Sequence, residues 1–201
     1  MNYFVTAIGT DSGKTFVSAI LTEMLHGDYW KPIQSGTPRD TEIVKRLVSN
    51  GQSNFYQEAF LLKTPCSPHE AAALDGVRID LSMITPPISN RDLVIEGAGG
   101  VLVPINDTDV MLDLVPKLNA EIILVSDLYL GSINHTLLTA EVIKSRNLKV
   151  KGIIFNGEPN AESERIILHK TGFKLLLNIA KEDHVDREVV LNYAELLRKT
   201  W

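Results

Sequence analysis

The chain has 201 residues, 44% apolar and 22% charged, a composition that excludes wholesale disorder and suits one globular domain over residues 1–201. A formal charge of −5 argues against nucleic acid as a general partner, and the single cysteine, Cys66, excludes an internal disulfide or a cysteine-based zinc site. With no apolar run near ~18 residues and no basic, apolar leader at the start, the expectation is a cytoplasmic protein with no membrane partner.

Short apolar runs alternate with longer amphipathic stretches. Tyr3 to Thr6 reads as a buried strand and Thr15 to His26 as a helix, with Val17, Ile20, Leu21, Met24 and Leu25 at helical spacing. Gly27 is placed to supply a left-handed stop. Tyr29 to Ile33 reads as a second strand, with a loop from Gln34 to Pro38 behind it. Asp40 to Ser49 reads as a helix, with Ile43, Val44, Leu47 and Val48 on one side. Residues 50–87 have the least regular pattern, and their Thr64–Pro68 loop reads as an insertion lying over a site. Arg91 to Glu96 is a strand running into the glycines of Gly97–Gly100, and Glu121–Ser126 and Val150–Phe155 are further β-branched strands. Asn134 to Arg146 reads as the helix between those two; Lys174–Ile179 is a last strand and Val185–Arg198 a closing helix. This order implies crossover connections: an α/β fold with a mostly parallel sheet flanked by helices on both faces.

Ligands of open α/β sheets sit at the carboxyl ends of the strands. The first such loop ends in Gly13-Lys14-Thr15 at the start of an amphipathic helix, the context that a phosphate-binding loop requires. Its backbone N–H groups and helix dipole suit phosphate oxygens, Lys14 adds a point charge, and Thr15 can ligate Mg²⁺. The usual first glycine falls on Ile8, with Gly9 one place later. Glu96 ends a buried strand, where a carboxylate is costly without a partner, so it is read as a second Mg²⁺ ligand. Asp40 can ligate the same ion or cap a helix start. Lys31 and Ser35 follow the second strand, and a second lysine there stabilises charge developing in a transfer. Gly131 to Thr136 opens a helix after a strand, where an anion site or an ordinary cap both fit.

Taken together and in order, Phe4 to Thr6 with the Gly9–Thr15 loop, Lys31-Pro32 with Ser35-Gly36, Ser67 to His69, Glu96–Gly100 (EGAGG), Gly131–His135 (GSINH) with Leu138 to Ala140, and Gly152–Asn156 resemble the dethiobiotin synthetases. The resemblance covers roughly residues 1–156 and implies a P-loop NTPase-type fold, a homodimer, and ATP and Mg²⁺ as cofactors. It implies a ligase of biotin biosynthesis: CO₂ is taken up by 7,8-diaminopelargonic acid as a carbamate, activated by ATP as a carbamic-phosphoric anhydride, and closed into the ureido ring. On the matching positions Lys14, Lys31, Thr10 and Ser35 are then catalytic, with Thr10 and Ser35 also at the substrate. Thr15, Asp40 and Glu96 bind Mg²⁺. The nucleotide falls to Asp11, Ser12, Gly13, Lys14, Thr15, Phe16, Glu96, Gly97, Ala98, Gly99 and Asn156, the last at the adenine. Gly131, Ser132, Ile133 and Asn134 bind the distant carboxylate of the substrate, from the partner subunit. Past Asn156, the run Leu176 to Asp183 lacks the Gly-x-x-Pro stretch common in the family. The competing reading is a partitioning or septum-positioning switch ATPase, ParA/MinD-like, of the same superfamily. It is disfavoured by Ala7, Ile8 and Gly9 standing where an early loop lysine is usual, and by a tail of mixed charge.

Overall fold

The computed structural model describes residues 1–201. Alternation along each strand sorts its side chains to two faces. In β1 (Asn2–Ala7), Phe4 points to one core while Tyr3 and Val5 point to the other, and all three are buried. The same division holds for Ile95 against Val94 in β6 (Leu93–Gly100) and for Ile122 and Leu124 against Ile123 and Val125 in β7 (Ala120–Asp127). A sheet apolar on both faces must be covered on both. Helices α1 (Lys14–Leu25), α2 (Asp40–Leu47) and α7 (Arg187–Arg198) bury Ile20, Val44 and Val190 against one face. Helices α3 (Pro68–Leu74), α5 (Ser132–Ser145) and α6 (Ala161–Thr171) bury Ala71, Ile143 and Ile167 in the other core, with a short α4 (Leu114–Lys117) between β6 and β7. No helix is long and apolar enough to cross a membrane.

With β2 (Asp28–Trp30), β4 (Phe55–Tyr56), β8 (Val150–Asn156) and β9 (Leu175–Ile179), the main sheet runs β4-β2-β6-β1-β7-β8-β9. Every pairing is parallel. From β1 the chain first winds outward to β2 and later crosses to β7 on the other side, so a crevice opens beyond the carboxyl end of β1. Both the Gly9–Thr15 loop and Glu96 lie at that end.

Several expected boundaries move. The expected strand from Tyr29 to Ile33 is two strands: β2 stays in the main sheet, while β3 (Ile33–Ser35) pairs with β5 (Phe60–Leu62) in a separate two-stranded sheet. Pro32, at the break, has no N–H for a ladder, and Gln34 and Ser35 are strand rather than loop. The left-handed stop of α1 is His26 (φ 48°), not Gly27. Gly27 is required for closeness instead: a Cβ there would stand 2.7 Å from the Asp92 carbonyl oxygen. The glycines after Glu96 belong to β6, and between Val5↔Glu96 and Ala7↔Gly100 the strand carries two extra residues as a bulge. Helix α2 ends at Leu47, two residues early, and α4 and α6 were not among the expected elements.

Candidate active site

The loop between β1 and α1 turns through Asp11 (φ 58°) and Gly13 (φ 90°). Gly13 is restricted twice, by that left-handed backbone and by Asn156 Nδ2, which would lie 2.3 Å from an added Cβ. Asn156, at the end of β8, donates from this Nδ2 to the Ser12 carbonyl at 3.1 Å and so braces the loop. No side chain caps α1, so the N–H groups of its first turn face the crevice with the positive end of the helix dipole. Lys14 is buried and donates to the Gly9 carbonyl at 2.9 Å. Burial pushes its ammonium pKa below the usual lysine value, against the opposing pull of Glu96.

Next to the loop, three side chains converge on Glu96. Thr15 Oγ1 donates to Oε1 at 2.9 Å, the Tyr29 hydroxyl to Oε2 at 2.9 Å, and Lys31 Nζ to Oε1 at 3.0 Å. The same Lys31 ammonium lies 2.6 Å from Asp40 Oδ2. Burial alone would raise the Glu96 carboxyl, yet Lys31 and these hydrogen bonds outweigh it and hold the pKa below the ordinary value. Burial also raises Asp40, and there it prevails, with the nearby Glu96 charge adding to it and Lys31 opposing. Burial works to lower Lys31, but the two carboxylates outweigh it, so the ammonium is held in its charged form. Tyr29, fully buried, is pushed well above its ordinary value by burial first and by Glu96 second, which keeps the phenol a donor.

These groups line a cleft of about 910 Å³ that takes in Thr10, Asp11, Gly13, Lys14, Thr15, Phe16, Lys31, Ser35, Asp40, Glu96, Ala98 and Gly99. The Ser35 hydroxyl is buried there and makes no hydrogen bond within the protein. Pro65 to Pro68 form one wall, so the loop expected over a site does border it. Ser12, Gly97, Asn156 and Gly131 to Asn134 are not part of the lining. Gly97 lies behind it, where a Cβ would meet the Phe4 ring at 3.0 Å. Gly131 caps α5 and Ser132 to Asn134 begin it; Ser132 is buried, while Leu130 is fully exposed beside Tyr129 and Ile133. Sequence reasoning missed Tyr29, Gln34, Arg46 and Val185. Gln34 Oε1 accepts from the Asp40 N–H at 3.0 Å, and Arg46 and Val185 border the cleft past Ile43 and Leu47. None of these four belongs to a motif, and only tertiary packing assembles them.

A family model described as an AAA domain matches residues 1–189. Among curated relatives, the ATP-dependent dethiobiotin synthetase BioD of Cytophaga hutchinsonii is 57% identical over 201 residues, covering 99% of this chain and 98% of its own length. That of Christiangramia forsetii is 48% identical over 200 residues, covering 98% of this chain and 96% of its own length. Of solved structures, a ParA family ATPase from Chlorobium tepidum superposes with a TM-score of 0.58 at 12% identity, covering 99% of this chain and 95% of that one. The septum site-determining protein MinD of Pyrococcus horikoshii, complexed with Mg-ADP, gives 0.56 at 17% identity, covering 100% of this chain and 90% of that one. At such low identity these two structures share the fold.

Proposed function

The chain belongs to the ATP-dependent dethiobiotin synthetase family, and we propose that its cleft carries out the ureido ring closure of that activity. One amine of 7,8-diaminopelargonic acid takes up CO₂ as a carbamate. A carbamate oxygen attacks the γ-phosphorus of ATP and ADP leaves. The second amine then attacks the carbamate carbon and displaces phosphate, closing the ring to dethiobiotin. The observation that carries this reading is the convergence of Lys14, Lys31, Thr15, Asp40 and Glu96 at one end of the phosphate loop.

The residues divide the work. Backbone N–H groups of residues Asp11 to Phe16 bind the phosphates, with Ser12 and Gly13 shaping the loop and Gly97, Ala98 and Gly99 letting β6 pass close by. Asn156 donates one amide hydrogen to the Ser12 carbonyl, which fixes its side chain and leaves its carbonyl oxygen to accept from the adenine amine. Lys14 and Lys31 hold carbamate and phosphoryl oxygens in line, which is most of what phosphoryl transfer asks of a protein. Thr10 and the unpartnered Ser35 hydroxyl orient the reacting end of the diamine. Thr15, Asp40 and Glu96 would hold Mg²⁺. Their fit is supported by the donor set: two carboxylates already gathered around one cation, the Lys31 ammonium, and a hydroxyl that bonds one of them. Mg²⁺ bound there neutralises charge on the phosphate oxygens.

We also propose a cytoplasmic homodimer in which residues 1–201 act as one unit. Tyr129, Leu130, Ile133 and Leu138 leave an exposed apolar surface around the start of α5, and a second copy is the occupant that fits. That copy would bring the N–H groups of Gly131, Ser132, Ile133 and Asn134 to the distant carboxylate of the substrate. The test is incubation with 7,8-diaminopelargonic acid, bicarbonate, Mg²⁺ and ATP, with dethiobiotin read by mass. Phosphate release without dethiobiotin would overturn the assignment in favour of a ParA/MinD-like switch.

A further inference from the structure

Residues 57–60 run alongside the segment that carries Lys31. Trp30 Nε1 donates to the Gln57 carbonyl at 2.9 Å, and the Phe60 N–H donates to the Pro32 carbonyl at 3.0 Å. The backbone around Glu58 is thereby bonded to both chain neighbours of Lys31. The Glu58 side chain, 2% exposed, turns towards α2. Its Oε1 accepts from Arg39 Nε at 3.2 Å and from Thr41 Oγ1 at 2.7 Å, while Oε2 accepts from Arg39 Nη2 at 2.5 Å. Arg39 and Thr41 are both chain neighbours of Asp40. One short stretch therefore holds the residues on either side of Lys31 and those on either side of Asp40, and those two meet at 2.6 Å. Glu58 itself does not line the cleft.

We infer that Glu58 is a positioning residue, which sets Asp40 against Lys31 and Glu96 by gripping Arg39 and Thr41. A buried carboxylate is costly unless fully paired, and Glu58 meets that cost with a two-pronged guanidinium and a hydroxyl. Gln34 secures the Asp40 N–H from the other side, so losing Glu58 frees the orientation of the Asp40 carboxylate without releasing the start of α2. Outer partners of this kind typically carry 10–100-fold in metal affinity.

This inference rests on Asp40 being a ligand of the divalent cation. The experiment is binding of a fluorescent N-methylanthraniloyl ATP to the full chain across a Mg²⁺ titration and in EDTA. The proteins compared are wild type, Glu58→Gln, Asp40→Asn and the double variant. Glu58→Gln is expected to need about tenfold more Mg²⁺ for half-maximal binding, with EDTA affinity unchanged. The double variant is expected to be no worse than Asp40→Asn alone, because Glu58 acts through Asp40. A Glu58→Gln protein that melts lower but keeps the wild-type Mg²⁺ requirement overturns the positioning role, as does a double variant whose losses add. If Asp40→Asn leaves the Mg²⁺ requirement untouched, the ligand assignment falls and this inference with it. Should Glu58→Gln not fold, Arg39→Met removes the same pair from its more exposed partner and carries the same expectations.

Discussion

At Lys31 a single ammonium, 5% exposed, faces two carboxylates that would otherwise repel one another in a buried place. Removing one partner of such a set typically costs about 3–5 kcal/mol, because the remaining charges lose their compensation. Lys31→Ala should therefore melt well below wild type in EDTA and recover on adding Mg²⁺, which can replace the lost cation. If Lys31 acts on the transferring group as proposed, the variant's kcat should fall by roughly a hundredfold or more, with nucleotide affinity changing far less. Normal turnover in that variant would remove Lys31 from the mechanism. At the opposite end of the strands, Asp28 is buried and accepts from Asn54, Ser89 and Tyr56. Burial pushes its carboxyl up, but these hydrogen bonds outweigh it and hold the pKa below the ordinary value. With the folded pKa under the unfolded one of about 3.9, the stabilisation is present above that pH and is lost as pH falls through the folded pKa. Thermal melts of Asp28→Asn should lie below wild type at pH 7 and fall less steeply between pH 5 and 3; parallel curves would exclude the effect.

At the scale of elements, β8 meets β9 so closely that a Cβ on Gly152 would stand 2.4 Å from the Lys174 carbonyl oxygen and 2.6 Å from Leu176 Cγ. Backbone cannot yield there as a flexible side-chain end could. Gly152→Ala is expected to cost about 1–3 kcal/mol, as overpacking does. The urea midpoint should drop with its slope preserved and kcat unchanged, because Gly152 sits at the end of the sheet away from the cleft. The apolar periodicity made the cores of β1, β6, β7, β8 and α1 readable in advance. It gave no hint that the chain leaves the main sheet at Lys31 and Pro32, because both resulting strands are only three residues long, too short for a period to register. Helix α6 was missed for a related reason: it buries only Ile167 and Thr171, so its amphipathic signal is thin.

For the whole molecule, the exposed apolar start of α5 is where assembly is tested. Leu138, 58% exposed, lies one helical turn beyond the Gly131 to Asn134 group. Leu138→Arg should give a monomer by light scattering and raise KM for the diamine, while the ATP-binding loop stays intact. A variant that remains dimeric with unchanged KM would exclude this surface as the interface. The ParA and MinD likenesses, at 12% and 17% identity, concern the fold alone, and the choice between synthetase and switch rests on the close relatives.

The sequence by itself determined the parallel sheet, the phosphate loop and the individual side chains that bear charge. These follow from local spacing: period two or three to four for burial, and a glycine and lysine directly before a helix. Only the tertiary structure decided how those charges pair. Lys31, Asp40, Glu58 and Glu96 come from four separate stretches of chain, and their ion pairs and hydrogen bonds act over about 3 Å across contacts that no sequence interval encodes.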